Sequence, residues 1–190
     1  MVELEKKLLL SKDEYDFLLR NYGLHKSIIK QINYYFDTDD LCMNKKGITC
    51  RIRLKDGKYN GTMKSHSPGM EKSIESNIEV RNGIADNGFI DMDLKYQGEL
   101  ITERCIVYKD PFCEVVLDKN IYLEHTDYEL EIEYSDKYEE YAESILQNMI
   151  KALTENIALF SLDDINRRRT NSFSKSNRFF ERRSRCDFNT

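Results

Sequence analysis

The sequence predicts an α+β protein in which about eight strands form an antiparallel barrel or a strongly curved sheet, with helices on its outside. Three observations indicate this fold class. Charged and apolar residues alternate in two distant segments, 3–7 and 129–133, as in strands whose two faces differ. Strand-like segments follow one another through short turns, and helical periodicity is found at two points. We see no internal repeat and no linker, which predicts a single domain over residues 1–190.

The first elements are a strand over residues 2–10 and a helix after it. Ser11 and Glu14 are spaced as a capping box at the start of this helix, and Gly23 can end it. Helical spacing relates Tyr15, Leu18, Leu19 and Tyr22. This stretch is therefore predicted to be an amphipathic helix packed on the sheet.

The remaining strands are predicted from alternation and from turn residues. They cover 31–37, 49–54, 58–64, 73–80, 99–108, 113–118 and 128–134. Asp56-Gly57 lies between two of them and is a strong hairpin signal. Ser135 is predicted to cap a long helix whose apolar stripe serves core packing or an oligomer surface. That stripe comprises Tyr138, Tyr141, Ile145, Met149, Leu153 and Ile157.

Composition limits the classes of protein to consider. The chain has 190 residues, of which 40% are hydrophobic, enough for one domain with a substantial core. Its charged share of 33% exceeds the usual quarter or so, which suggests that some charge is internal. No run is apolar enough to cross a membrane, and the N-terminal segment is too acidic for a signal peptide. We therefore expect a cytoplasmic protein with no membrane partner.

Cysteine and histidine usage excludes several kinds of site. The five cysteines have no close pair, which favours reduced thiols over a disulfide framework or a zinc site. The three histidines are scattered, so neither a histidine metal site nor a histidine-based triad is expected. Carboxylates would then hold any metal, and carboxylates favour Mg²⁺, Mn²⁺ or Ca²⁺.

The alternating segments place like charges in rows. One strand face carries Glu129, Glu131 and Glu133, and another carries Glu3, Glu5 and Lys7. A half-exposed strand with its charges in water explains any single segment of this kind. However, neighbouring acids repel one another, and an ordinary sheet gains little by repeating such rows. The repetition indicates a polar interior that collects metal ions or charged ligands.

Basic residues show the same alternation on other strands. Arg51 and Arg53 lie on the same face of one predicted strand, and Lys64 lies on the next strand. Arg104 follows on a later strand, and the acid Asp118 on the strand after it. If these faces line one lumen, acids and bases meet there, and a dry core could not hold them because each unpaired buried ion costs several kcal/mol. An anionic ligand with its cation would complete the pairing, since arginine and lysine bind phosphate oxygens and carboxylates bind the metal.

Glu3, Glu5 and Lys7 spell E-x-E-x-K, and here the chain resembles the CYTH superfamily of triphosphate tunnel metalloenzymes. The similarity covers nearly the whole chain and is closest to the small single-domain bacterial members. The other matching segments are 31–38, Arg51-x-Arg53, Thr62-Met63-Lys64, Arg104, Leu117-Asp118, Glu131-Ile132-Glu133 and Ser174-Lys175-Ser176. The segment around Glu75 departs from the family pattern.

This resemblance implies an eight-stranded antiparallel tunnel that binds a triphosphate together with Mg²⁺ or Mn²⁺. The implied metal ligands are Glu3, Glu5, Asp118, Glu131 and Glu133, and Glu129 is added because it shares their face. The implied phosphate-binding residues are Lys7, Arg51, Arg53, Lys64, Arg104 and Lys175, of which Lys7, Arg51 and Arg53 are the catalytic candidates. Tyr34 and Tyr35 are interpreted as packing residues in preference to a catalytic base.

The function expected from these residues is metal-dependent hydrolysis of a small triphosphate, with inorganic tripolyphosphate as the leading substrate. Water would attack the terminal phosphorus in line. Three alternatives stay open: adenylate cyclisation of the class IV type, thiamine triphosphate hydrolysis, and noncatalytic binding of polyphosphate or nucleotide. The cyclase needs a base-binding pocket, for which the sequence has no clear signal. For thiamine triphosphate, the lack of tryptophan leaves only tyrosine or phenylalanine for stacking.

The C-terminal segment, residues 166–190, is basic, with eight basic and two acidic residues. Such a segment can bind nucleic acid, or it can fold back and complete an anion site. A solvated tail is the default for most of its arginines, and a nucleic-acid partner is not expected. The sequence is compatible with a homo-oligomer.

Overall fold

The fold is described from a computed structural model. It covers residues 2–23, 25–66, 72–78, 94–157, 162–170 and 173–187. The side chains of Glu3 and of residues 72–78 lie outside the described part. Within the described ranges no helix is long and apolar enough to span a membrane. Four of the predicted reduced cysteines are free thiols, namely Cys42, Cys50, Cys105 and Cys113.

Among the residues that the structure describes, eight strands pair antiparallel around the molecule. They are β1 Val2–Leu10, β2 Ile28–Asp37, β3 Ile48–Lys55, β4 Lys58–His66, β5 Lys72–Ile78, β6 Lys95–Lys109, β7 Cys113–Tyr122 and β8 His125–Tyr134. Their order is β1-β5-β4-β3-β2-β6-β7-β8, and β8 pairs again with β1, so the sheet closes. The antiparallel sheet expected from the alternating pattern is confirmed. The β1–β5 seam has the shortest register, with three residue pairs.

One hairpin turn and one strand irregularity depend on particular residues. Asp56 and Gly57 join β3 to β4 with φ values of 51° and 72°, as the predicted hairpin turn requires. Gly98 in β6 has φ of 137° and lies beside an irregularity in the β2–β6 register. A Cβ atom at Gly98 would lie 2.8 Å from the ring of Phe179. Glycine therefore lets the C-terminal helix approach the barrel wall here.

Five helices accompany the sheet within the described part of the chain. They are α1 Lys12–Tyr22, α2 Cys42–Lys45, α3 Glu139–Asn156, α4 Leu162–Thr170 and α5 Lys175–Asp187. The predicted capping box at Ser11 and Glu14 is confirmed, as is the end of α1 at Gly23. The predicted cap at Ser135 is wrong. Helix α3 begins after Tyr138, whose backbone N–H donates to the Ser135 carbonyl in the preceding turn.

The main hydrophobic core lies outside the barrel, between its outer face and helices α1, α3 and α4. Leu8 and Leu130 from the strands are fully buried in it. The buried face of α3 consists of Ala142, Leu146, Ile150 and Leu153. This buried face differs from the predicted apolar stripe of α3, because Leu153 is buried as predicted but Tyr141 is exposed. Because apolar side chains face the helices, the opposite face of each strand is left for polar groups inside the barrel.

The basic C-terminal segment folds back onto the barrel, so the solvated-tail interpretation is wrong for several of its residues. Arg168 in α4 donates to both carboxylate oxygens of Glu14, at 2.6 and 2.8 Å. Phe179 and Phe180 in α5 are buried in a second cluster that also contains Tyr35, Leu100 and Tyr122, whose alternation places them on the inner face. Helix α5 therefore closes one end of the barrel with aromatic side chains.

Candidate active site in the barrel lumen

The lumen brings the predicted bases together. One cavity is lined by six of them, Lys7, Arg51, Arg53, Lys64, Arg104 and Lys175. Three acids also line it, Glu5, Glu131 and Glu133. Strand pairing explains their proximity, because Lys7 lies opposite Glu131 and Glu5 lies opposite Glu133 across the β1–β8 seam. Among the described residues that line it, bases are twice as many as acids, so this part of the cavity suits an anion.

The basic wall is formed by strands β3 and β4. Arg51 Nε donates to Thr62 Oγ1 at 3.0 Å, and Arg53 Nε donates to Asn33 Oδ1 at 2.8 Å. Both partners lie directly opposite in the strand register. A neutral partner at Nε orients each guanidinium and leaves its terminal nitrogens available as charged donors to other groups. Lys64 Nζ lies 3.9 Å from a carboxylate oxygen of Glu5.

The acidic wall is formed by strands β7 and β8. Asp118, Glu129 and Glu131, which we call the acid triad, each place one oxygen within 4.8 Å of the others. Their relative exposures are 0%, 0% and 3%. Buried carboxylates at such distances repel strongly unless cations compensate them.

Arg104 from β6 is the first of these cations. Its Nη2 donates to Asp118 at 2.7 Å and to Glu131 at 2.5 Å, and its Nη1 donates to Glu133 at 3.0 Å. Burial acts against the charge of this guanidinium, but the carboxylates of Asp118 and Glu131 raise its pKa above the ordinary value. Arg104 therefore cross-links the acidic wall in the structure as it stands.

Lys175, the first residue of α5, is the second cation. Its Nζ lies 2.9 Å from Asp118 Oδ2 and 2.8 Å from Glu131 Oε1, and it also contacts Glu129 Oε1. Lys7 approaches Glu131 from β1 at 3.1 Å. Burial would raise the pKa of Glu131, but Lys175 and Lys7 hold that pKa well below its usual range. All three triad carboxylates thus share the Lys175 ammonium.

Arg178 is a lumenal residue that the sequence interpretation missed. Its Nη2 donates to Glu129 at 2.9 Å and its Nε donates to Asp127 at 2.8 Å. Tyr122 also donates its hydroxyl to Asp127, at 2.7 Å. The available signal was the three-residue spacing from Lys175, which places both side chains on one face of a helix. That spacing has no meaning until α5 is known to be a helix.

The remaining predicted acids lie apart from the triad. Glu5 and Glu133 line the cavity, and the side chain of Glu133 is 46% exposed. The backbone of Glu3 lies opposite Ser73 in β5, but its side chain is outside the described residues. The backbone of Glu75 lies opposite Lys64. The structure thus separates the predicted metal ligands into a buried triad and a more exposed pair.

Both tyrosines of the predicted packing pair make ring contacts. Tyr35 is 1% exposed, and its ring centroid lies 4.7 Å from that of Phe179. Burial raises the pKa of Tyr35 although Arg51 and Arg53 act in the opposite direction. Tyr34 lies near Tyr96, with 6.5 Å between ring centroids. The packing interpretation is confirmed.

The acid triad fits a hard divalent cation. Its three carboxylates offer only oxygen donors, which Mg²⁺ and Mn²⁺ prefer, and they converge within a few ångströms in a site closed to bulk water. The triad is also adjacent to the base-lined cavity through Glu131, which belongs to both. A cation there would lie beside an anion in the lumen.

Comparison with known proteins finds one matching family model and a named bacterial relative. The sequence model of the CYTH domain family matches residues 1–166. YjbK of Bacillus subtilis (strain 168), which is provisionally named a triphosphatase, is 33% identical over 153 residues. That alignment covers 73% of this chain and 80% of YjbK.

Solved structures show the same fold. A Bacillus halodurans protein provisionally named an adenylate cyclase is 25% identical, with a TM-score of 0.71 over 94% of this chain and 97% of its own. HpAC1 from Hippeastrum, provisionally named an adenylyl cyclase and described as having a dominant triphosphatase activity, is 21% identical, with a TM-score of 0.60. That match covers 79% of this chain and 87% of HpAC1. At this identity the likeness to HpAC1 concerns the fold alone.

Proposed function

Because the chain belongs to the CYTH domain family, we propose that it is a triphosphatase that uses its closed barrel as a triphosphate tunnel and hydrolyses small triphosphates with a divalent cation. Inorganic tripolyphosphate is the leading substrate. One observation carries this proposal: a lumenal cavity lined by six bases and three acids adjoins a buried triad of carboxylates. Cations for phosphate oxygens and carboxylates for a metal are the two parts that phosphoryl transfer requires.

The basic wall binds and orients the substrate in this proposal. Arg51 and Arg53 are held at Nε by Thr62 and Asn33, and their guanidinium groups can then fork onto phosphate oxygens. Lys7 and Lys64 add ammonium groups from neighbouring strands of the same cavity. Fixing the chain of phosphates before reaction lowers the entropic part of the barrier, because the terminal phosphorus is already presented to water.

The acidic wall has the complementary role. Mg²⁺ or Mn²⁺ bound there would neutralise the charge that develops on the transferred phosphoryl group. Asp118, Glu129 and Glu131 would hold that ion, and Arg104 would hold the triad carboxylates in place. Glu133 lies nearer the solvent, in a position to orient an entering water molecule.

The cavity lining favours an inorganic substrate over a nucleotide or thiamine triphosphate. Among the described residues that line it, the only aromatic is Tyr35, and this ring is already covered by Phe179. Adenine or thiamine recognition generally needs an apolar or stacking surface. Cyclisation and thiamine triphosphate hydrolysis are therefore the less favoured activities.

Incubation of the purified protein with tripolyphosphate, ATP and thiamine triphosphate tests the proposal, with Mg²⁺, Mn²⁺ or EDTA. We expect phosphate release, fastest from tripolyphosphate and abolished by EDTA. Arg53→Met should abolish it, whereas Lys119→Met should not, since Lys119 pairs with Glu103 at 3.0 Å and is absent from the cavity lining. Cyclic nucleotide formation would favour the cyclase, and retention of all three compounds without turnover would favour a noncatalytic binder.

A further inference from the structure

Gln31 in β2 is a buried amide that lines the lumen. Its relative exposure is 4%, and it belongs to the wall of the base-lined cavity. Within the described part of the chain, no group forms a hydrogen bond with its side chain. Buried polar groups in native proteins are nearly always hydrogen-bonded, so an unsatisfied one needs a cause. The amide offers two N–H donors and one carbonyl acceptor, and all of them are available to a molecule in the lumen.

The neutral side chains next to Gln31 already have partners. On the same strand, Asn33 accepts a hydrogen bond from Arg53 at 2.8 Å. Thr102 lies opposite Gln31 in the β2–β6 register and donates to Asn120 at 2.8 Å. These hydrogen bonds hold side chains of the barrel wall in place. Gln31 makes no hydrogen bond of this kind with the described residues, so the needs of the wall do not explain an amide at this position.

The position of Gln31 is between the cations expected to hold phosphate. Strand β2 lies between β3, which carries Arg51 and Arg53, and β6, which carries Arg104. All three guanidinium groups line the same cavity as Gln31. A phosphate chain bound by the arginines of these two neighbouring strands would therefore lie beside the amide.

A neutral amide at this position can do what the surrounding cations cannot. Lysine and arginine only donate hydrogen bonds, whereas an amide donates through Nε2 and accepts through Oε1 at the same time. It can therefore hold a water molecule and a phosphoryl oxygen together. Glutamine orients the attacking water in GTP-hydrolysing proteins for this reason.

We propose that Gln31 is a further catalytic residue of the hydrolysis, and this inference rests on the proposed function. Its Oε1 accepts a hydrogen bond from the attacking water, and its Nε2 donates to an oxygen of the terminal phosphoryl group. The water oxygen bonds to the terminal phosphorus while the bond from phosphorus to the bridging oxygen breaks, which gives orthophosphate and pyrophosphate. One hydrogen of the water stays on orthophosphate and the other passes to pyrophosphate or to solvent. Gln31 itself takes no proton.

The same substitution at two glutamines tests this role. Gln31→Met keeps the length of the side chain but removes its donor and its acceptor. It should lower kcat and kcat/KM for tripolyphosphate equally, by about tenfold or more, since a contact completed only in the transition state affects both alike. Its Tm should be equal to or higher than that of the wild type, because no hydrogen bond within the described protein is lost.

Gln97→Met in β6 is the matched control. The Gln97 amide donates to the backbone carbonyls of Asp37 and Thr38, at 3.2 and 3.4 Å, and it is absent from the described lining of the cavity. This variant should therefore have a lower Tm and an unchanged kcat. Wild-type kcat in Gln31→Met overturns the inference. A lower Tm together with a lower kcat in Gln31→Met also overturns it, since a structural residue gives that pattern.

Calorimetric titration with tripolyphosphate in EDTA separates orientation of water from binding of substrate. Gln31→Met should bind tripolyphosphate with nearly the wild-type Kd, because the arginines and lysines of the cavity remain. Clearly weaker binding, or a raised KM with unchanged kcat, would make Gln31 a substrate-binding group and overturn its role with water. A wild type that releases no phosphate from any triphosphate overturns the proposed function together with this inference. An active wild type matched by Gln31→Met overturns the inference alone.

Discussion

The two walls of the lumen achieve charge compensation in different ways. On the basic wall, Arg51 and Arg53 are oriented at Nε by the neutral groups of Thr62 and Asn33, which lie opposite them in the register. On the acidic wall, the triad receives cations from other elements, including Arg104 of β6 and Lys175 and Arg178 of α5.

On the acidic wall the fold itself supplies the compensating cations, whereas the basic wall is where we expect an anionic ligand to bind. Buried carboxylates in a group are costly without cations, so the acidic wall recruits the C-terminal helix and is stable before any metal binds. Among the described side chains that line the cavity, bases outnumber acids. We infer that an anionic substrate binds at the basic wall.

The largest expected effect is at the basic wall. Arg51→Gln combined with Arg53→Gln should lower kcat/KM for tripolyphosphate by about 10²–10³-fold, the usual loss when a charge-stabilising donor is removed. The free energy of unfolding should change little, because the glutamine amides can still hydrogen-bond to Thr62 and Asn33. Steady-state phosphate release and a denaturant titration measure the two quantities. A loss of activity explained wholly by unfolding would break the comparison of the walls.

The next effect separates the triad from the acids nearer the solvent. Saturating Mg²⁺ should raise the Tm of the wild type, since binding to the folded state alone stabilises by about 2.7 kcal/mol at a hundredfold excess over Kd. Glu129→Gln should remove most of this rise, because Glu129 belongs to the triad.

Glu133→Gln is the matched variant for that experiment. Glu133 is on the same strand but 46% exposed and outside the triad, so its variant should keep most of the Mg²⁺-induced shift. The opposite ranking would place the cation with Glu133 and Glu5. It would leave the proposed triphosphate hydrolysis intact.

A smaller effect tests how α5 is anchored at the acidic wall. Burial would raise the pKa of Asp127, but the Arg178 guanidinium outweighs it and lowers this pKa below its ordinary value of 3.8. A depressed folded-state pKa contributes stability that is present above the unfolded-state pKa and is lost as pH falls through the folded-state pKa. Asp127→Asn should therefore cost about 1–2 kcal/mol near neutral pH, and progressively less in acid below pH 3.8.

Denaturant titrations of Asp127→Asn and the wild type at several pH values, in EDTA, measure that difference. A gap that stays constant down to strongly acidic pH would mean that the Arg178–Asp127 pair adds no charge-dependent stability. The contribution of α5 would then reside in its other contacts, among them the buried rings of Phe179 and Phe180.

The strand residues of both walls could be predicted from the sequence because strands have a period of two, and the charges of Glu5, Lys7, Arg51, Arg53 and Glu131 follow it on one parity. The predicted hairpin at Asp56-Gly57 and the cap at Ser11 depend on local chemistry and also hold. These features need no knowledge of distant contacts. They describe most of the lumen but little of what closes it.

The elements that close the lumen could not be predicted for a physical reason. Helix α5 has its two apolar anchors, Phe179 and Phe180, side by side, so it lacks the three- and four-residue stripe of an amphipathic helix. Its position depends on the space beside Gly98 and on the acids that attract Lys175 and Arg178. The position of α4 also depends on a distant contact, because its Arg168 pairs with Glu14, more than 150 positions earlier in the chain.

The smallest expected effect concerns the exposed arginines of the C-terminal helices. Arg167 and Arg185 are 72% and 75% exposed and pair with Asp164 and Glu181 within their own helices. Such pairs contribute at most about 0.5 kcal/mol, and neither arginine reaches a lumenal wall. Arg167→Gln with Arg185→Gln should therefore leave tripolyphosphate hydrolysis and its salt dependence unchanged, as measured between low and high ionic strength. If the variant instead loses binding at low salt and matches the wild type at high salt, the segment acts as a long-range electrostatic arm. The division between a ligand-completed basic wall and a self-compensated acidic wall would then have to include the outer surface, and a polyphosphate- or nucleic-acid-binding function would gain over the triphosphatase.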